Sequence, residues 1–204
     1  MPFDILTFKE QGLIYGGARP SLFQVMLAQD IDAADGFPAP SLAKLPFLCR
    51  AASLPAMVVS PIRVPYFGRH IKVAGNRDFE DWTITIFNDE DFALRDIFEA
   101  WNDDINTLQG NIRLPAYNEE SDYKSDFTVQ QFDKEGNVIR AYDMLGAWPT
   151  RISAIDLDWE AQNQVEVFQI VFSYDYWMPN TNNLGGIATA ASYAGDVEET
   201  SDAN

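Results

Sequence analysis

VPYFGRHIKVAGNRDFEDWTITIFNDEDFAL (Val64–Leu94) is the stretch on which the fold turns. Phe67, Arg69, Ile71 and Val73 alternate with Gly68, His70 and Lys72, which is the period of a strand. Asn76-Arg77-Asp78 predicts a turn. Trp82, Ile84 and Ile86 then share one face of a second strand. The period changes abruptly after it. Asn88 is a suitable N-cap, and Asp89, Glu90 and Asp91 put negative charge where a helix N-terminus favours it. Leu94, Ile97, Phe98, Trp101, Ile105 and Leu108 recur at helical spacing, and Gly110 predicts the end. The apolar stripe of this one substantial helix has to cover a face of a sheet.

Outward from that unit the chain reads as strands. Ser21–Ala28 and Phe47–Ala52 are apolar and compatible with β structure, while Asp30–Leu45 is a loop broken by Gly36, Pro38 and Pro40. Residues 1–20 read as an irregular arm. Between Pro55 and Pro65 three prolines flank Met57, Val58 and Val59, which confines that apolar run to an edge or a loop. Tyr123–Phe132 and Val138–Ala147 form a hairpin around Asp133-Lys134-Glu135-Gly136-Asn137. Ile152–Trp159 alternates with Ile155, Leu157 and Trp159 on one face. Val165–Trp177 is the longest strand candidate, with Phe168, Ile170, Phe172, Tyr174 and Tyr176 opposite Gln169, Ser173 and Asp175. The expected fold is mainly β: an antiparallel sandwich or small barrel with one flanking helix, a single domain over residues 1–179. Residues 180–204, without Lys or Arg and closing on Asp196, Glu198, Glu199 and Asp202, read as a flexible acidic tail.

Composition narrows the function. The 204 residues suffice for a core without disulfides, and the single cysteine, Cys49, permits no internal one. A formal net charge of −17 opposes binding to nucleic acid and to anionic membranes. The opening MPFDILTFKEQG is not a secretory leader, and no apolar run nears the roughly 18 residues a membrane span needs. The only histidine, His70, sits in an alternating strand and has no metal-ligating companions. No nucleophile elbow, Walker loop or dinucleotide fingerprint occurs. Two carboxylate groups remain: Asp156, Asp158 and Glu160, and Asp78, Glu80 and Asp81. Such sets can serve a glycosidase or hold Ca²⁺, and nearby rings such as Trp82, Trp101, Trp148 and Trp159 can stack on sugars. In so acidic a chain they read first as solvated faces, and the rings as core. The expectation is a protein without catalytic residues, metal or cofactor. A carbohydrate-active sandwich is the distant alternative.

Five segments together, in order, resemble one family. Val64–Asn106 (VPYFGRHIKVAGNRDFEDWTITIFNDEDFALRDIFEAWNDDIN) resembles the signature region of the tail tube proteins of contractile-tailed bacteriophages. GARPSLFQV (Gly17–Val25) and PFLCRAASLP (Pro46–Pro55) resemble that family's opening. YKSDFTVQQFDKEGNVIRAYDMLGAWPTRISAIDLDWE (Tyr123–Glu160) and VEVFQIVFSYDYW (Val165–Trp177) resemble its closing strands. The resemblance implies six-subunit rings that stack into a hollow tube inside a contractile sheath and conduct viral DNA into the host. It implies as partners other copies of the chain, the tail sheath protein, and baseplate and tail terminator proteins. DNA would pass through the lumen without specific binding, and nothing would anchor the chain to a membrane. The place implied is the virion tail, assembled in the host cytoplasm. A baseplate tube initiator and a bacteriocin or type VI tube subunit are the related alternatives.

Within that frame the Tyr123–Ala147 hairpin and Val165–Trp177 are the expected ring-closing elements. Asp126, Gln130, Gln169 and Asp175 are expected in the lumen, with the face uncertain by one residue of register. Met57, Val58, Val59 and Pro61 are the expected ring-stacking loop, because their apolar side chains are hard to place on a lone monomer.

Overall fold

The computed structural model describes residues 5–12, 16–27, 42–113 and 115–180. The tail beyond Asn180 and most of the 30–45 loop therefore lie outside the described residues. Nine strands occur among those described: β1 Phe23–Leu27, β2 Cys49–Ala52, β3 Val58–Tyr66, β4 Arg69–Asp78, β5 Trp82–Phe87, β6 Ser125–Phe132, β7 Val138–Ile152, β8 Val167–Ser173 and β9 Tyr176–Asn180. All pairings are antiparallel. The main sheet runs β1-β6-β7-β8-β5-β2, with β9 added beside β7, while β3 and β4 pair only with each other.

The long strand β7 makes this path into two layers. Its first half pairs with β6 and, through Ala141–Leu145, with β9. Its second half, from Trp148, pairs with β8. The first layer is β1-β6-β7-β9 and the second is β7-β8-β5-β2. Gly146 is the corner. Its φ of +66° lies in the left-handed region, and a Cβ there would run into the Asp175 carboxylate. The chain returns between layers at the same place: Asp175 donates its N–H to Leu145 O at 3.0 Å, between β8 and β9. The expected single strand Val165–Trp177 is thus two strands in different layers. Phe168, Ile170, Phe172 and Tyr174 do share a buried face, but Tyr176, past the crossing, is exposed.

The core fills the space between the layers. Val25, Phe127, Val129 and Met144 face inward from the first, and Trp82, Ile84, Ile86, Phe168, Ile170 and Phe172 from the second. The helix Ala93–Ile105 closes one side with Leu94, Ile97, Phe98, Trp101 and Ile105 buried. Phe172 is central, its ring 4.6 Å from Phe127, 5.8 Å from Trp82 and 5.9 Å from Phe98. Two indoles satisfy their N–H groups on backbone: Trp82 donates to Ser53 O at 2.7 Å and Trp101 to Tyr123 O at 2.8 Å. A buried ring with a polar tip needs such a partner.

Several boundaries depart from the sequence reading. Asn76-Arg77-Asp78 is not a turn: β4 runs through it, and the reversal is Phe67-Gly68, with φ of 38° and 79°. Positive φ at both central residues is the two-residue turn whose twist suits a hairpin. Asn88 does not cap the helix, because its side chain and its N–H are both spent on Glu166, at 3.0 and 2.9 Å. The helix begins after Phe92, and Asp91 accepts the Ala93 N–H at 3.2 Å. It ends at Ile105, well before Gly110, and leaves Leu108 exposed. Ile152–Trp159 is not a strand beyond Ile152. Ser153 donates its N–H to Gln169 O, and residues 153–166 then leave the sheet with Leu157 and Trp159 exposed. The 1–20 arm contains a short helix, Ile5–Gly12. The β6–β7 hairpin matches its expectation, its turn held by Asp133, which accepts N–H groups from Glu135 and Asn137 at 2.8 Å each.

Candidate functional site

Three surfaces present groups that the fold itself leaves unused. The first is the β3–β4 hairpin, every residue of which is exposed except Gly75, which is half-buried. The expected ring-stacking residues Val58, Val59 and Pro61 belong to β3, and Met57 immediately precedes it. They stand at the base of a projecting hairpin, not in a loop. Pro61 and Pro65 are tolerated because β3 has a single neighbour and can forgo donors. Register sorts the side chains. Ile62 lies opposite Val73, Val64 opposite Ile71 and Tyr66 opposite Arg69, so these form one face that is apolar except for Arg69 at the tip. Arg63 lies opposite Lys72, and Pro65 opposite His70, on the other face. The ladder shifts between Val59 and Pro61, and a Cβ on Gly75 would run into the Ser60 carbonyl. Glycine is required there by that close approach.

An isolated two-stranded hairpin is at best marginally stable in water. This one adds like charges directly opposite each other, which destabilise it further. Its base is tied down by Trp177, which donates its indole N–H to Ala56 O at 3.0 Å. Along its length the apolar face has no cover among the described residues.

The second surface is the outward face of the β1-β6-β7-β9 layer. Gln24, Gln130, Ala141 and Asn180 form one cross-strand row, and Met26, Thr128, Asp143 and Met178 the next. Asp143 is held from both sides, by the Thr128 hydroxyl at 2.7 Å and the Asn180 amide at 2.8 Å. Asp126 is exposed on the same side and accepts the Gly146 N–H at 2.9 Å. None of these positions carries a cation. Among the described residues β1 pairs only with β6, and β9 only with β7, so each keeps one unpaired edge. The expected ring-closing hairpin β6–β7 is interior; the open edges of this layer are β1 and β9.

The expected lumen residues divide accordingly. Asp126 and Gln130 share this face, although Gln130 is largely buried in the row between Gln24 and Ala141. Gln169 lies on β8 of the other layer, exposed beside Thr85. Asp175 sits at the crossing and pairs with Lys124 at 3.0 Å. The hydrogen bonds that the Lys124 ammonium donates to the Glu120 and Asp175 carboxylates hold it above its ordinary range.

The third surface is the end of the molecule away from the hairpin. β2 ends and β5 begins at the hairpin, since Ala52 lies opposite Ile84. At the other end Phe87 lies opposite Val167, and Asn88 bonds to Glu166. Segment 153–166, which leaves β7 there, carries Asp156, Asp158, Glu160 and Glu166 with no cation. Trp159 is fully exposed and Leu157 nearly so. Asp89 and Asp91 are neighbours and share Lys44, which draws the Asp91 carboxyl below its usual range. Arg95 is engaged with Glu99 at 2.6 Å and Ser153 O at 3.3 Å, and Arg50 lies over the Phe87 ring.

The two carboxylate groups read from the sequence do not become sites. Asp156, Asp158 and Glu160 occupy a loop, where Asp158 accepts the Glu160 N–H. Asp78 accepts the Phe79 N–H, and Glu80 and Asp81 lie near Tyr174, whose phenol burial and those two charges push up. Among the described residues no group of three or more His, Cys, Asp or Glu is arranged to hold a metal. Burial pushes the Cys49 thiol up to about 12, which suppresses the reactive thiolate. No helix among the described residues is long and apolar enough to cross a membrane.

Comparison with known proteins agrees with a surface-built function. Residues 18–180 match the family model for phage tail tube protein. The tail tube protein gp19 of Enterobacteria phage T4 is 34% identical over 161 residues, covering 78% of this chain and 90% of that protein. The tail tube protein of Serratia phage KSP90 is 28% identical over 127 residues, covering 62% and 70%. In fold, a chain of the anti-feeding prophage baseplate superposes with a TM-score of 0.57 at 12% identity, over 80% of this chain and 95% of that one. A chain from the sheath-tube complex of an extracellular contractile injection system gives 0.51 at 16% identity, over 87% and 97%.

Proposed function

This chain belongs to the phage tail tube protein family and is a structural tail protein, and from that premise we propose how it builds a tube. Six copies close a ring by pairing the free edge of β9 in one subunit with the free edge of β1 in the next. The β1-β6-β7-β9 layers then become one continuous sheet, and its polar outward face lines the lumen. Closure removes the open edges that would otherwise invite uncontrolled association. Rings stack through the β3–β4 hairpin, with Met57, Val58, Val59 and Pro61 at its base. The tube lies within a contractile sheath, starts on a baseplate, ends at a terminator, and conducts DNA.

The carrying observation is the cation-free outward face of that layer, with, among the described residues, one unpaired edge on β1 and one on β9. Asp126 and Asp143 on that face repel a polyanion over about a Debye length, roughly 8 Å at physiological salt, so DNA slides without sticking. A flat patch of Lys or Arg would instead hold it. End-on electron microscopy of the assembled chain tests the ring: sixfold rings with a central hole are expected. Another symmetry, or a strict monomer even with baseplate present to nucleate growth, would refute it.

A further inference from the structure

The hairpin carries four cations, Arg63, Arg69, Lys72 and Arg77, and only one carboxylate, Asp78, in a chain of formal net charge −17. That concentration has no counterpart among the described residues: none of their ion pairs involves a hairpin residue. Arg63 and Lys72 even face each other across the two strands, an arrangement that costs stability unless an anion covers both. The opposite end of the molecule presents the reverse. Segment 153–166 holds Asp156, Asp158, Glu160 and Glu166 and no cation, and exposes Leu157 and Trp159 among them. Of the cations near that end, Lys44 is used on Asp89 and Asp91, Arg95 on Glu99, and Arg50 lies over the Phe87 ring.

From this polarity we infer that the acidic segment 153–166 of one copy receives the basic face of the β3–β4 hairpin of a second copy. The inference rests on the hairpin-stacking reading above and supplies the surface it docks on. The occupant follows from charge and chemistry together. A cationic, partly apolar hairpin matches an anionic patch with uncovered apolar side chains at Leu157, Trp159 and Val165, and Arg63 or Lys72 can lie over the Trp159 ring as well as pair with Asp156 or Asp158. The geometry follows from the register. Hairpin and patch stand at opposite ends of the β5–β8 ladder, so the contact is head-to-tail between unlike surfaces. A contact of that kind does not close on itself along its axis and propagates as an open stack. The same charges set a direction, because two hairpin ends repel, as do two acidic ends.

A charge exchange tests the pairing in the full-length chain. R63E/K72E and D156K/D158K are each made alone and then combined, with circular dichroism and melting to establish folding. Tube yield is read by sedimentation and electron microscopy at about 0.15 M salt, with baseplates added as nuclei. Each single-sided reversal is expected to lower polymer yield by about 100-fold, since like charges brought together in an interface cost several kcal/mol. The combined variant is expected to recover most of the yield. Failure of R63E/K72E with normal tubes from D156K/D158K would overturn the inference while leaving hairpin stacking intact, and would assign the acidic end to a different partner. Normal tubes from both R63E/K72E and Val58→Glu would instead remove the stacking reading itself.

Discussion

Replacing Gly146 with alanine probes the corner on which both layers depend. The residue has φ +66°, and an L-residue in that region costs about 1–2 kcal/mol from contact between Cβ and the neighbouring carbonyl. The new Cβ also displaces the Asp175 carboxylate, which Lys124 holds through two bonds of 3.0 Å. The Asp175 side chain is about half exposed, so that ion pair is worth only about 0.5–1 kcal/mol. The sum is a loss of about 1.5–3 kcal/mol. For a domain of this length that lowers Tm by roughly 3–12 °C. Urea denaturation of the dilute protein, followed by tryptophan fluorescence, measures it. A double-mutant cycle separates the two causes. Asp175→Ala alone should cost about 0.5–1 kcal/mol, by loss of the pair. In the Asp175→Ala background, Gly146→Ala should cost only the backbone strain, about 1–2 kcal/mol. The reasoning fails if Gly146→Ala lies within about 0.5 kcal/mol of the parent, or if the two costs simply add.

Two further outcomes follow from the core and from the β6–β7 turn. Phe172→Ala should cost about 3–5 kcal/mol, near the top of that range, because it leaves a cavity bounded by four other rings and forfeits their contacts; a chemical melt showing less than about 1 kcal/mol would show that the layers can collapse onto the gap. Asp133 has its carboxyl pulled down by the Asn137 side chain and by backbone N–H groups of the turn. A depressed folded-state value means its stabilisation is complete above the ordinary carboxylate range, roughly pH 4, and is lost as pH falls through the lower value. Asp133→Ala should therefore weaken the fold at pH 7 and close the gap to wild type near pH 2. A deficit that stays constant across that range would show the carboxylate is not the holding group.

How much the residue pattern revealed depended on whether the other side of each contact lay within the chain. Trp82, Ile84 and Ile86 were legible because one face of β5 is buried and the other is not. The helix stripe was legible for the same reason, although its start was misplaced. Asn88 has the composition of a cap, but Glu166, 78 residues away, claims its side chain, and no local pattern records that. Leu157 and Trp159 alternate correctly for a strand, yet β7 has already spent its pairing on β8 by Ile152. Alternation states that two faces differ; it does not state that a neighbour is available to pair.

The β3–β4 hairpin was the hardest element to read, and its surroundings give the reason. Ile62, Val64, Ile71 and Val73 share a face by register, but that face is as exposed as the basic one. Burial therefore cannot reinforce the alternation. Two prolines on β3, Pro61 and Pro65, weaken the strand signal further, and the reversal uses Phe67 at positive φ, a residue no turn preference would select. Every cue that normally identifies a hairpin is diluted in the segment whose strands, among the described residues, pair only with each other. The surplus it carries, apolar on one side and cationic on the other, is what a surface completed by another subunit requires. In this chain the least legible segment and the proposed assembly contact are the same residues, and under that proposal their complement is the far end of an identical copy.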